Sequence, residues 1–218
     1  MRDVVSSASD FSQRLLEWWE TNKRDFPWRH TQRPYEILIA EMLLRKTTAQ
    51  QVENIYERFL KKYPNAVALS KARESALSKL LRPLGMEHKR AVIFIRFAKA
   101  VLKDHKGKIP SELEDLLELP GVGMYAANAV LSFTYKLNVP IVDTNFIRVV
   151  ERIFNLKSSK SRARNDKVIW DFARTLIPNG KSREFNLAVL DFAASICRSR
   201  SPSCDACQFS DMCGFKYR

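Results

Sequence analysis

Glycine is scarce in this chain, at 6 of 218 residues, and no segment alternates convincingly between apolar and polar positions. Both absences argue against a sheet-based fold. Long apolar runs are missing too. The most apolar stretch, Ala126 to Val142, is interrupted by Lys136, Asn138 and Pro140, so no membrane-spanning segment is expected. The opening Met1-Arg2-Asp3-Val4-Val5-Ser6-Ser7 has no apolar secretion-signal core, and an intracellular protein away from membranes is expected. Cysteine is absent before position 197. In a reducing interior, thiols clustered at one end suggest a metal site rather than disulfides. Acidic residues are in deficit, 24 against 37 lysines and arginines, which leaves a net charge of +13. Such an excess points to a polyanionic partner, nucleic acid ahead of an anionic membrane surface.

What is present is a helical pattern. Hydrophobic residues make up 45% of the chain, enough to build a core and to exclude disorder. Leu15, Leu16, Trp18 and Trp19 suit a first helix, and Tyr35 to Leu44 reads as a buried one. Val52, Ile55, Tyr56 and Phe59 form a stripe at helical spacing, as do Val92, Ile95, Phe97, Val101 and Leu102. Phe146, Val149, Val150 and Ile153 share a face. So do Ile169, Phe172, Ala173 and Leu176, and so do Leu187, Leu190, Ala194 and Cys197. An all-α fold is expected. Ser111 to Glu114 fits a capping box, which predicts a short helix to about Glu118. Leu119-Pro120-Gly121-Val122-Gly123 then stops that helix and allows a tight hairpin into a second helix from Met124 to Tyr135. Lys157 to Arg164 reads as a basic surface loop.

Four features can carry chemistry. Cys197, Cys204, Cys207 and Cys213 form a C-x6-C-x2-C-x5-C array within the last 22 residues. Such thiolates can wrap one zinc ion or one [4Fe–4S] cluster, and spacing alone does not separate the two. Gly121 and Gly123 let backbone N–H groups come close to a phosphate at a helix N-terminus, although many helical hairpins use such glycines only structurally. Asp143 precedes a helix predicted from about Asn145 and suits an N-cap. A rigid carboxylate there can also stabilise positive charge on a sugar and orient a water molecule. Glu41 stands inside the apolar run Ile37 to Leu44, where a carboxylate is costly unless it is functional or paired with an arginine. Arg45, Lys46 and Thr47 follow, either reaching a nucleic acid or ending the helix in solvent.

The order of these features resembles the endonuclease III family of helix-hairpin-helix DNA glycosylases. The likeness is carried by Leu119 to Gly123, Val142-Asp143-Thr144-Asn145, the four cysteines, Phe26-Pro27-Trp28-Arg29 and Pro34 to Glu41. It implies a [4Fe–4S] cluster on the cysteines rather than zinc. It also implies a six-helix domain holding the hairpin (residues 33–140) and a terminal helical domain (1–32 and 141–218) with the cluster loop at 197–213. Double-stranded DNA would lie bent across these domains with one nucleotide extruded, at a cost of a few kcal/mol that falls for a mispaired base. A monomer is expected. Arg45 or Lys46 and Met86 would fill the gap left by the base, with Gly121, Val122, Gly123 and Asn145 completing the DNA contacts.

Two departures narrow the implied activity. Family members that nick the strand carry a nucleophilic lysine where this chain has Tyr125, and a phenol cannot form the Schiff base. A monofunctional glycosylase is therefore expected, with Tyr125 stacking on or hydrogen-bonding the flipped base; the plainer alternative is a core aromatic. The adenine-excising branch carries Leu-Gln-Gln-Thr where this chain reads Leu44-Arg45-Lys46-Thr47, and it has a further C-terminal domain, whereas the sequence here stops five residues after Cys213. The likeness is nearer to thymine–DNA mismatch glycosylases, which remove T or U opposite G. Asp143, Tyr125 and Glu41 are the expected catalytic set. An adenine glycosylase is the rival within the family, and a non-catalytic iron–sulfur DNA-binding or redox-sensing protein is the rival outside it.

Overall fold

The computed structural model describes residues 2–215, and side chains from Ser7 onward. Met1 and residues 216–218, on which the reading of the two chain ends partly rests, lie outside the described residues. The chain is all-helical, with no strand among the described residues. None of the described helices is long and apolar enough to cross a membrane. Two compact units form, one from Asp25–Tyr135 and one from the two chain ends, up to Arg24 and from Lys136.

The unit Asp25–Tyr135 holds α2 (Pro34–Leu44), α3 (Ala49–Lys62), α4 (Ala66–Ser70), α5 (Glu74–Leu81), α6 (Glu87–His105), α7 (Leu113–Glu118) and α8 (Met124–Phe133). Helix α2 is buried nearly all round because it packs against both α3 and α8, so its sequence is an apolar run rather than a stripe. Val52, Ile55, Tyr56 and Phe59 are buried as their spacing predicts, and Phe59 meets Phe94 of α6 with ring centroids 5.2 Å apart. On α6 the predicted stripe is rotated. The buried face is Arg90, Ala91, Phe94, Phe97, Ala98 and Val101, while Val92, Ile95 and Leu102 are only half-buried. A buried cation begins that face, and a search for apolar periodicity passes over it.

The predicted capping box at Ser111 does not form. Helix α7 starts later, at Leu113, with Glu112 as a cap that makes no side-chain bond. The Ser111 hydroxyl turns to the Glu112 carboxylate instead. A true capping box opens α3, where the Thr48 side chain accepts from Gln51 N–H and Gln51 reaches back to the Thr48 N–H. It escaped the sequence reading because its N3 residue is glutamine inside a polar run.

The terminal unit holds α1 (Arg2–Asn22), α9 (Thr144–Phe154), α10 (Lys167–Leu176) and α11 (Ser182–Ser195). Helix α11 packs against α1 and α9, so its buried face is broad: Phe185, Ala188, Val189 and Phe192 are covered. Ala194, placed on that face by the sequence pattern, is exposed. Residues 157–164 form an exposed loop, and buried Asp166 at its end caps α10 and accepts from Ser158 and Ser159. The cysteine segment has little regular structure, but it has a core anchor that the sequence pattern did not suggest. Phe209 is fully buried against Phe11 (centroids 4.7 Å) and Phe192 (5.2 Å).

Candidate functional site

In the unit Asp25–Tyr135, the hairpin joining α7 to α8 is fixed by Gly121. Its φ is +86°, and a Cβ there would stand 2.5 Å from Ile93 Cγ2 and 3.1 Å from Met42 Cε. Any other residue there would be strained and would have to displace these side chains. Gly123 differs. Its backbone is extended at φ −119°, it is exposed, and nothing lies within 4 Å of its Cβ position. Nothing inside the protein demands glycine there, and the N-terminus of α8 is open beside it. Val122 is buried and its N–H donates to Leu119 O (3.0 Å), so that N–H serves the turn rather than a ligand. The Arg45 side chain reaches across to donate to Gly121 O (3.1 Å).

Lys46 and Met86 are both exposed, and both occupy the left-handed region, at φ +54° and +52°. They sit at the tips of loops that flank α2 and α6. Tyr125, second residue of α8, is half-buried. Glu41 is 7% exposed on α2, which packs against α8. Its charge acts behind burial and Glu36 in raising the Tyr56 phenol above its ordinary value.

In the terminal unit, Asp143 is half-buried and caps α9, which begins one residue earlier than predicted. Its Oδ1 accepts from the N–H groups of Asn145 (2.9 Å) and Phe146 (2.8 Å), and its Oδ2 from Asn145 Nδ2 (2.7 Å). Burial pushes the Asp143 carboxyl above the ordinary carboxylate range, and the bonds from Phe146 and Asn145 and the charge of Arg148 pull it back. Arg148 continues the chain. It donates to Asn145 Oδ1 (3.0 Å), to Cys197 O (2.8 Å) and to Ala193 O (2.9 Å). Asn145, expected among the DNA contacts, thus has both ends of its amide engaged within the unit and bridges Asp143 to Arg148. The sequence reading missed Arg148 and Arg152. Their signal was available, because Asn145, Arg148 and Arg152 line one side of a helix whose other side is apolar.

Cys197, Cys204, Cys207 and Cys213 all line one small pocket that opens to solvent, together with Ile153, Phe192 and Phe215. Among the described residues, no group of three or more His, Cys, Asp or Glu is set to hold a metal ion. The donor set is nonetheless four thiols around a single apolar-walled space. Burial pushes the Cys207 thiol up, and the other three sulfurs add to that shift through their charges. Arg152 stands beside these sulfurs: its Nη1 lies 3.6 Å from Cys197 Sγ, and it also donates to Arg198 O (2.7 Å) and Ser199 O (3.1 Å). From α1, Arg14 grips the same segment by a bidentate pair with Asp211 (2.9 and 3.0 Å) and a bond to Gln208 O. Four soft donors around one cavity, with a cation beside them, fit an iron–sulfur cluster.

A helix-hairpin-helix with its glycine turn and a carboxylate capping a later helix define a class of DNA repair protein. Residues 39–174 match the family model described as HhH-GPD superfamily base excision DNA repair protein, and the chain belongs to that superfamily. It is 45% identical over 204 residues to a thymine-DNA glycosylase of Aeropyrum pernix, covering 92% of each chain. It is 40% identical to a thymine/uracil-DNA glycosylase of Methanothermobacter thermautotrophicus, covering 94% of this chain and 92% of that one. A solved thermostable thymine-DNA glycosylase superposes with a TM-score of 0.92 at 39% identity, covering 98% of both chains.

Proposed function

We propose that this protein is a monofunctional DNA glycosylase that hydrolyses the N-glycosidic bond of T or U mispaired with G after flipping the base from the duplex. The carrying observation is Asp143, a carboxylate held by three hydrogen bonds at the start of α9. A carboxylate has about four acceptor positions, so one stays available to a water molecule or to the reacting sugar. Bond cleavage develops positive charge on the sugar, and a preformed anion stabilises that charge without reorganising. Asp143 then orients the attacking water. Tyr125 contacts the flipped base, and Glu41 positions or protonates it. Since Tyr125 offers no amine, no Schiff base forms and an intact abasic site is left. Kinship over nearly full length with thymine- and uracil-excising relatives supports the choice of base.

Double-stranded DNA is the substrate. Gly121 and Gly123 with the first N–H groups of α8 would hold a phosphate, and Arg45 or Lys46, together with Met86, would fill the gap left by the base. The net charge of +13 supplies the sequence-independent attraction. Cys197, Cys204, Cys207 and Cys213 would hold a [4Fe–4S] cluster. Bound there, it supplies four metal–thiolate bonds that cross-link a segment poor in helix.

Labelled duplexes carrying G:T, G:U, A opposite 8-oxoguanine, A:G and thymine glycol test the reading. Strands are compared with and without alkali. Excision from G:T and G:U, with breaks only after alkali, is expected. Breaks without alkali would end the monofunctional assignment, and activity confined to A opposite 8-oxoguanine would end the choice of base.

A further inference from the structure

Arg90 lies on the first turn of α6, is only 5% exposed, and meets no carboxylate among the described residues. A buried cation without a counter-ion is costly unless its N–H groups are all used. Here four of the five go to backbone carbonyls from two separate segments. Nη1 donates to Met42 O (3.2 Å) and Leu43 O (3.3 Å), and Nη2 donates to Arg45 O. Nε donates to Gly85 O (2.9 Å). The first three carbonyls are those left unpaired where α2 ends. The fourth belongs to the residue just before Met86. Burial and the nearby charge of Arg45 both push the Arg90 guanidinium down from its ordinary value.

The segments so joined are those whose tips carry the exposed, left-handed Lys46 and Met86. Lys46 follows Arg45 directly, and Met86 follows Gly85. A second tie runs alongside, where Gln51 Nε2 donates to Pro83 O (3.2 Å). Non-glycine residues hold left-handed backbone only where surrounding structure over-determines it. Arg90 bonds to the residue preceding each of the two tips.

We propose that Arg90 is a positioning residue for base extrusion, coupling the Lys46 and Met86 loops into a single wedge. This rests on the reading of those two residues as DNA-inserting. The planar fork of arginine suits the task, since it presents five N–H donors in fixed directions. A lysine keeps the charge but cannot span four carbonyls. The guanidinium is buried beneath the two loops and acts through them.

The test compares wild type, Arg90→Lys, Arg90→Gln and a Lys46→Ala/Met86→Ala double variant. Three readouts are used: thermal melting, the fluorescence of 2-aminopurine placed beside a G:U pair, and single-turnover excision of uracil opposite G and opposite an abasic-site analogue. The last duplex needs little work for extrusion. Arg90→Lys is expected to fold, to lose most of the fluorescence rise, and to excise uracil opposite G about tenfold to a hundredfold more slowly. Its rate on the abasic-site duplex is expected to stay near wild type. Equal slowing on both duplexes, or an unchanged fluorescence rise, overturns the proposal. If Arg90→Gln does not fold, Arg90→Lys alone decides. A double variant with normal extrusion overturns the wedge reading, and the role of Arg90 falls with it. A defective double variant beside a normal Arg90→Lys overturns the Arg90 proposal alone.

Discussion

The two units of this chain hold their functional residues by opposite means. In Asp25–Tyr135 the decisive features are backbone shapes: the left-handed Gly121, Lys46 and Met86, the extended Gly123, and carbonyls gathered by one arginine. In the terminal unit they are side chains in a row, from Asp143 through Asn145 and Arg148 to the backbone of Cys197, with Arg152 and Arg14 fastening the cysteine segment. The first arrangement suits a surface that must fit a regular polymer without reading its sequence. The second suits chemistry, where one charge must be placed and tuned. Damage to the first should therefore show in binding and extrusion, and damage to the second in rate and pH dependence.

The largest effect is expected from Asp143→Asn. Asparagine keeps an oxygen for the N–H groups of Asn145 and Phe146 and caps helices as well as aspartate does, but it loses the bond from Asn145 Nδ2, so stability should fall by about 1–2 kcal/mol without loss of the fold. The anion is lost, and single-turnover excision should fall by about 10²–10³-fold or more. DNA affinity should be nearly unchanged. A large loss of affinity with retained chemistry would break the division of labour between the units.

Next is Cys207→Ser. The cysteine segment has Phe209 as its one fully buried large side chain, supported by arginine bonds from outside. Loss of one thiolate from the proposed cluster should bleach its visible absorption and speed hydrogen exchange across residues 197–213. Exchange in residues 25–135 should not move. Matching acceleration in both units would show that they do not hold their structure independently.

A pair of alanine substitutions in the hairpin separates fold from binding. Gly121→Ala places a side chain at φ +86° and 2.5 Å from Ile93, and should cost at least about 1–3 kcal/mol in denaturant unfolding. Gly123→Ala meets nothing within 4 Å at an ordinary φ, and should hold or raise stability by about 0.4–1 kcal/mol. Its effect should fall on DNA affinity, by about tenfold if a charge-assisted bond to phosphate is blocked. Unchanged affinity for Gly123→Ala would remove the hairpin from the DNA contacts.

The sequence disclosed these two units unevenly, for a physical reason. Helix α2, the stripe on α3, the hairpin glycines and the Asp143 cap were legible because periodicity, turn chemistry and capping are local. The cysteine array was legible because four thiols crowded into 22 residues, with none elsewhere, stand out in the sequence itself. The polar side of α9 was visible, but the partners of Arg148 and Arg152 were not, nor was the role of Arg90, because these arginines bond to backbone carbonyls of other segments, and a carbonyl leaves no mark in the residue type that carries it. The same blindness rotated the α6 stripe, since a buried arginine counts as polar in any apolar pattern. The failed cap at Ser111 shows the limit of local rules: an S-x-x-E match says nothing about where the chain has to turn.

The smallest expected effect concerns pH and tests whether Arg148 tunes Asp143 or only packs beside it. Burial raises the Asp143 carboxyl above its ordinary 3.8, with hydrogen bonds and the Arg148 charge opposing. Between 3.8 and the raised folded value the native chain binds the proton more than the unfolded chain does. Its contribution to stability is therefore fully present below 3.8 and declines as pH rises through that window. Catalysis needs the ionised form, so the acid limb of kcat/KM should lie above the ordinary carboxylate range. Arg148→Met removes a positive charge and frees Asn145, which should move that limb to higher pH and steepen the loss of stability across the same window. Arg148→Lys, which keeps the charge but not the fork, should move it less. A uniform fall in rate at every pH, with the limb unmoved, would mean that Arg148 serves Asp143 only by holding α9 to the carbonyls of Ala193 and Cys197.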